Sequence, residues 1–315
     1  SRTEGSPGTG GRPLPVNDTK GGEMHPRKTP RFAAALTAFA AIAMMAFAQS
    51  AQAAPPPEVW PAAATPKVNM ERLLVAAQLD QYRPGNGRTR GAVKSVKRVQ
   101  RALRRRGIRV AVDGNYGAQT MRGYSRWQQR LGYSGLDASG IPGETSLQRL
   151  GGRRFNVTHV VRPGNRRAWS GVTLNGRTIR MLKTAGRLVG GRRCVLDATK
   201  GSYTGPDSSS EATHAGGGAV DLSIGTRCGR TVKRVVRKLR KVGFAAWFRN
   251  WPGNEHIHAV AISDPDMANE IAFPGWFDMR EQVVGWAQKK NGLNGATTGP
   301  MTRKLRTWEQ FKRSR

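Results

Sequence analysis

The sequence predicts an α+β protein: a small three-helix bundle, then a domain with a mostly antiparallel sheet and flanking helices. Three observations predict it. Apolar residues recur at helical spacing from Val93 to Leu103 and again from Met121 to Leu131. Glycine turns separate those stretches and return once more after them. Short β-prone runs appear only later, without the regular strand–helix alternation of a parallel sheet.

The 315 residues suit roughly two domains. A hydrophobic share of 37% is enough for packed cores, while 39 Gly and 18 Pro leave much chain for loops. The 53 Lys+Arg against 20 Asp+Glu give a net charge of +33. That excess implies an anionic partner: nucleic acid, acidic lipid or a phosphate-rich cell wall. Charge does not choose among them. Two cysteines exclude a disulfide-scaffold mini-protein and any multi-cysteine zinc finger.

Residues 1–23 are Gly/Pro/polar and read as an upstream extension, with translation beginning at Met24. Residues 24–53 read as a signal peptide: cations from Arg27 to Arg31, an apolar run from Phe32 to Ala48, and the small-x-small site Ala51-Gln52-Ala53. The alternative is a single transmembrane helix, for which about 17 weakly apolar residues are near the short limit. The expectation is a secreted, extracellular or cell-wall protein, with no membrane insertion after cleavage and no nucleic-acid partner. Outside the cell, Cys194 and Cys228 are expected to form a disulfide; two buried thiols, or one nucleophilic thiol, are the alternatives.

Residues 54–90 read as a linker and a short helix. Pro55 to Pro66 is Pro/Ala-rich, and Met70 to Tyr82 carries Leu73, Leu74, Ala77 and Leu79 before Pro84-Gly85-Asn86-Gly87 stops it. Residues 91–151 form the bundle. Val93, Val96, Val99 and Leu103 share one helix face, with Arg and Lys on the other. Gly114-x-x-Gly117-x-x-Thr120-Met121 returns 26 residues later as Gly140-x-x-Gly143-x-x-Ser146-Leu147. Each glycine pair makes a tight turn and each Ser/Thr opens a helix.

Residues 152–170 are a basic boundary with Pro163-Gly164 between β-prone pieces, and 171–315 form the second domain. A helix is expected over Thr178–Val189 and another over Thr231–Val242. Strands are expected over Cys194–Thr199, Ala219–Ile224 and His256–Ile262. Phe273 to Phe277 and Trp286 read as packing residues, Asn291 to Gly295 as a turn, and Lys304 to Arg315 as a solvated basic helix.

Three of the five histidines, His214, His256 and His258, lie beside the expected strands, with Asp221 between the first and the other two. Catalytic zinc takes three protein ligands plus water, and His214, Asp221 and His258 supply three. An open fourth position lets zinc lower the pKa of water to about 7. Asp221 points to one sheet face while Val220 and Leu222 point to the other, and His256 and His258 share a face. If the two strands are neighbours, His258 and Asp221 meet. Gly216, Gly217 and Gly218 let the chain turn sharply after His214. The alternative is a flexible glycine loop with surface histidines.

Two resemblances add to this. Val96-Lys97-Arg98-Val99-Gln100-Arg101-Ala102-Leu103, Val112-Asp113-Gly114 with Gly117 and Thr120, and Trp127-Gln128, closed by Gly140 to Leu147, resemble the peptidoglycan-binding domain of bacterial wall hydrolases. This implies peptidoglycan as a partner, and Arg101, Arg104, Arg105, Arg106 and Arg109 either attract anionic wall polymers or are a solvated face. His214-x-x-Gly217-x-Ala219-x-Asp221 with Glu255-His256-Ile257-His258 resembles the zinc D-Ala-D-Ala carboxypeptidase and L-Ala-D-Glu peptidase family. That resemblance implies one zinc on His214, Asp221 and His258, Glu255 as general base, and His256 supporting the transition state. Relatives place an arginine in a Gly-Tyr-Arg-Ser stretch; here Lys200-Gly201-Ser202-Tyr203 has none. Lys200, Ser202 and Tyr203 are therefore weaker candidates for substrate binding, with Lys200 a point charge rather than a bidentate clamp. Exo and endo cleavage both stay open. The expected function is a monomeric, secreted zinc peptidase cutting peptidoglycan stem peptides. The alternative is a non-catalytic wall-binding protein with a vestigial metal site.

Overall fold

The structure is a computed structural model that describes residues 64–206, 212–225, 228–275, 279–290 and 298–315. The upstream extension, the signal peptide, most of the Pro/Ala linker and the 291–295 turn lie outside the described residues. The architecture is mixed helix and sheet, compatible with the α+β class.

Strand β1 (Lys67–Asn69) runs straight into helix α1 (Met70–Leu79), where the Asn69 side chain accepts from the Arg72 amide and caps the first turn. Helices α2 (Val93–Arg105), α3 (Ala118–Arg130) and α4 (Glu144–Gly151) follow. On α2, Val96, Val99 and Leu103 are buried while Arg101, Arg104 and Arg105 face solvent. The two glycine turns are held by one device used twice. Gln100 accepts from the Gly114 amide at 2.9 Å and donates to the Asn115 carbonyl at 2.9 Å. Gln128 accepts from the Gly140 amide at 2.8 Å and donates to the Ile141 carbonyl at 2.9 Å. Gly114 and Gly140 have φ of 84° and 81°, and a Cβ on Gly140 would stand 2.3 Å from the Met121 carbonyl oxygen.

Strand β2 (Asn156–Thr158) then pairs parallel with β1, and β3 (Arg166–Trp169) makes a hairpin with β4 (Val172–Asn175). Helix α5 (Gly176–Gly190) starts from the Asn175 cap. The central sheet has the order β5 (Ala198–Lys200), β6 (Ala219–Ser223), β8 (His256–Ala261), β7 (Phe244–Arg249), and every neighbouring pair is antiparallel. Helix α6 (Val232–Val242), capped by Thr231, precedes β7. Helices α7 (Met279–Ala287) and α8 (Trp308–Arg313) close the chain.

Side-chain alternation gives the sheet two different faces. Val220, Leu222, Phe244, Ala246, Ile257, Ala259 and Ala261 pack with α5, α6 and α8 in one core cluster. Ala219, Ala245, Trp247 and Val260 join a second cluster that continues through α7 into α1, α2, α3 and α4. The apolar core thus runs without a break from the helical region into the sheet.

Three elements differ from the sequence expectation. Of the expected strand Cys194–Thr199 only Ala198 and Thr199 are in a strand, which runs on to Lys200, while Cys194 packs against Gly190 and is bonded to Cys228. Strand β7 is an additional strand; its FAAWFR run lies directly after a helix and reads as apolar rather than alternating. The terminal helix is not a solvated face: Trp308 and Phe311 are in the core, and Glu309 is buried.

Glu309 binds a fully buried cation. Arg177, 1% exposed, donates to Glu309 Oε1 at 3.1 Å and Oε2 at 2.8 Å, and to the Ile262 carbonyl at 2.9 Å. Asp264 lies 3.6 Å from its other terminal nitrogen. Glu71 on α1 holds the same helix α8 through Thr307 at 2.5 Å and Arg313 at 2.6 Å. The disulfide Cys194–Cys228 closes a 34-residue separation, a restraint of about 3–4 kcal/mol on chain-entropy grounds. No helix among the described residues is long and apolar enough to cross a membrane.

Removing one partner of a buried ion pair costs more than the pair contributes, because a charge is left without compensation. Glu309→Ala should lower stability by about 3–5 kcal/mol, measured by denaturant unfolding. A loss below about 1 kcal/mol, the exposed-pair range, would show that Arg177 finds full compensation elsewhere.

Candidate metal centre

The register of the central sheet assembles the site. Asp221 on β6 stands directly opposite His258 on β8, which stands opposite Trp247 on β7. One row away, Ser223, His256 and Arg249 are aligned in the same order. All of these odd-on-β6 and even-on-β8 positions share the face that turns away from the α5–α6 layer. His214 arrives from the loop before β6. One donor atom from each of His214, Asp221 and His258 lies within 4.8 Å of the others.

The glycine run that delivers His214 is tightly packed. Gly218 has φ of 95°, a Cβ on Gly217 would stand 2.5 Å from the Tyr203 hydroxyl, and one on Gly216 would stand 2.3 Å from the Ala268 amide nitrogen. These three positions are glycine because neighbours occupy the side-chain space, so the segment is not a loose loop.

Neighbouring groups orient the histidine rings. His214 Nδ1 donates to the Gly201 carbonyl at 2.6 Å, and its Nε2 lies 3.4 Å from Asp221 Oδ2. His258 Nε2 faces the Gln282 side-chain amide at 2.6 Å, and the other end of that amide pairs with Thr213 Oγ1 at 3.0 Å. His258 Nδ1 faces Asp221 Oδ1 at 2.6 Å. Burial pushes the His258 pKa down, against the pull of Asp221. Burial would raise the Asp221 carboxyl, but the adjoining His258 and His214 outweigh it and hold the acid well below the usual carboxylate range. Two imidazoles and a carboxylate converging in a buried site are a donor set that a divalent cation satisfies. Two imidazoles and one carboxylate fit zinc, with the Gly201 carbonyl and Gln282 orienting the rings from behind.

The remaining sequence candidates fall into three groups. His256 joins the site: its Nδ1 donates to the Asn254 carbonyl at 2.8 Å, and its Nε2 lies 3.9 Å from Asp221 Oδ1. The half-exposed ring of Trp251 stands edge-on to His256 at 5.4 Å. Glu255 is half-buried immediately before β8, and none of the triad's hydrogen bonds or ion pairs involves it. Lys200 stands opposite Asp221 in the β5–β6 register. The Ser202 hydroxyl donates to the Ala219 carbonyl at 2.7 Å, and the Tyr203 hydroxyl donates to Asp266 Oδ2 at 2.6 Å, so both are tied into the scaffold.

Sequence reasoning missed Gln282, Trp247 and Arg249. Trp247 lies 6.2 Å from His258, stacked at 20°, and the Arg249 guanidinium sits 5.1 Å from the Trp247 ring and 5.8 Å from Trp251. Period-two alternation in Phe244–Arg249 would have placed Trp247 and Arg249 on one face. Nothing in the sequence around Gln282 points to His258. Comparison of the chain with family models, with curated proteins and with solved structures gave no match.

Two predictions follow from these contacts. The full chain should hold about one zinc, and His258→Ala should lose it. Gln282→Leu should retain the fold but weaken zinc by about 10–100-fold, the usual effect of removing an orienting partner. Competition against a chromogenic chelator reads both, and unchanged affinity in Gln282→Leu would remove Gln282 from the site. Behind the glycine run, burial and the neighbouring Asp264 push Asp266 up to about 6. The folded state therefore holds a proton that the unfolded state releases at the ordinary 3.8, and stability falls as pH rises through about 6. Asp266→Asn should gain a few degrees in Tm at pH 7 and none at pH 4. An equal shift at both would show that titration of Asp266 is not involved.

Proposed function

We propose that the chain is a zinc-dependent peptidase acting on peptidoglycan stem peptides outside the cell, with residues 91–151 binding the wall. The observation that carries this reading is the convergence of His214 Nε2, Asp221 and His258 Nδ1 on one sheet face, with a further histidine and a tryptophan beside them. The motif resemblances and the disulfide support it. His214, Asp221 and His258 would hold the zinc. Zinc held there would supply Lewis acidity, polarising an amide carbonyl and lowering the pKa of water so that hydroxide is available as the nucleophile.

The chain's own residues do the rest. A group must take a proton from the attacking water and return one to the leaving amine. The three ligands are committed to metal and cannot do so. Glu255 is the base on the family pattern, three residues before the last ligand. His256 is the competitor on geometry, since its Nδ1 is used by Asn254 and its Nε2 lone pair faces the site. Lys200, opposite Asp221 in the β5–β6 register, is the candidate point charge for a substrate carboxylate. The second reading, a wall-binding protein without turnover, draws on the separation of Glu255 from the triad's hydrogen bonds.

Purified chain incubated with sacculi should release or shorten stem peptides, read by mass spectrometry of muropeptides. Glu255→Gln should keep zinc and lower kcat by about 10²–10⁴, abolishing the acid limb of the pH–rate profile. His256→Ala should also slow turnover but leave that limb. A Glu255→Gln enzyme with wild-type kcat would move the base to His256. Zinc-loaded chain with no turnover on sacculi would favour the second reading.

A further inference from the structure

A second cleft, of about 400 Å³, opens in the layer that covers the other face of the sheet. Trp169, Lys183, Arg187, Arg192 and Val195 line it. Three of these side chains are cations and none of the lining residues is an acid. Lys183 and Arg187 are one turn apart on α5, and Arg192 is on the loop after it; all three are exposed. Among the described residues none of the three is ion-paired.

Rigid parts hold these like charges together. The Lys183 ammonium stands over the Trp169 ring at 5.6 Å. That ring is fixed by its own Nε1, which donates to the Leu196 carbonyl at 3.1 Å, and by the two-residue hairpin turn Ser170-Gly171, with φ of 49° and 83°. The Arg192 loop is tied down two residues later by Cys194–Cys228. A site whose cations are placed in advance spends little of its binding energy on ordering them. Two guanidiniums offer paired donors to phosphate oxygens, and the lysine adds a point charge. The cavity volume suits one or two units of a polyol or sugar phosphate.

We propose that this cleft binds the phosphodiester groups of an anionic extracellular polymer, separately from the metal centre. Only the extracellular source of the phosphate rests on the proposed function; the phosphate chemistry stands on the cleft alone. The test uses the full chain at about 0.15 M salt, where exposed charges beyond a Debye length are screened. Binding of poly(glycerol phosphate), inorganic phosphate and duplex DNA is measured by titration calorimetry. The variant K183A/R187A/R192A is compared with K233A/R237A/K241A, which removes the same charge from exposed positions of α6 that do not line the cleft. His258→Ala is included to separate this site from the metal centre.

Poly(glycerol phosphate) should bind wild type, and the cleft variant should weaken it about 10–100-fold, the loss of one or two charge-assisted contacts. The α6 variant should lose much less, inorganic phosphate should compete at higher concentration, and His258→Ala should bind the polymer like wild type. Failure of turnover on sacculi with this pattern intact would sink the peptidase and leave the cleft. Equal losses in the two triple variants would reduce the cleft to general charge and overturn the proposal. So would inorganic phosphate that binds where the polymer does not, duplex DNA that binds more tightly and is weakened as much by the cleft variant, or loss of polymer binding in His258→Ala.

Discussion

The antiparallel register of β6 against β8 sets Asp221 opposite His258 and, through the same ladder, Val220 opposite Ala259 and Leu222 opposite Ile257. Because side chains alternate, that one alignment decides both faces of the sheet. A slip of one residue would send Asp221, His256 and His258 into the apolar layer against α5 and α6, and would turn Val220, Leu222 and Ile257 toward the polar site. Burial of the apolar set therefore holds the polar set in place. The candidate metal centre takes its precision from hydrophobic packing on the far side of the sheet.

The second organising feature is where the acids are used. Glu71, Asp80, Asp221, Asp264 and Glu309 are all buried, in a chain with only 20 acids in total. Glu71 and Glu309 anchor α8 to α1 and α5, Asp264 supports Arg177 and the loop behind His214, and Asp221 joins His214 and His258 in the candidate metal centre. Carboxylates spent inside cannot neutralise cations outside. The exposed arginines and lysines of α2, α5 and α6 are left as surface charge, which draws anions and is screened by salt.

The helical region and the sheet are also mechanically linked. The cluster that includes Leu73, Val96, Met121 and Leu147 continues into Val260, Trp247 and Val283, and α7 carries both that packing and Gln282. A change in the seating of α7 would therefore be felt at His258 Nε2. The β1–β2 pair ties residues 67–69 to 156–158, so the stretch that the sequence presents as a boundary is a structural seam.

Much of the local structure was legible in the sequence because it depends on short-range physics. Apolar spacing marked α1, α2, α3, α5 and α6, and glycine with its freedom at positive φ marked the turns at Gly114 and Gly140. Two histidines and an aspartate were singled out by chemistry and spacing, and the paired cysteines by compartment. What stayed hidden depends on partners far away in the chain. β7 is a strand because β8 pairs with it, β1 finds β2 about ninety residues on, and Trp308 is interior because α8 is clamped by Glu71 and Arg177. Gln282 and the Gly201 carbonyl orient the rings of His258 and His214 with no spacing that announces them. Residue type and local periodicity determined which groups were available for chemistry. Only the tertiary structure decided which of them meet, which nitrogen each histidine presents, and which charges are left to solvent, because those depend on distances between segments that sequence order does not constrain.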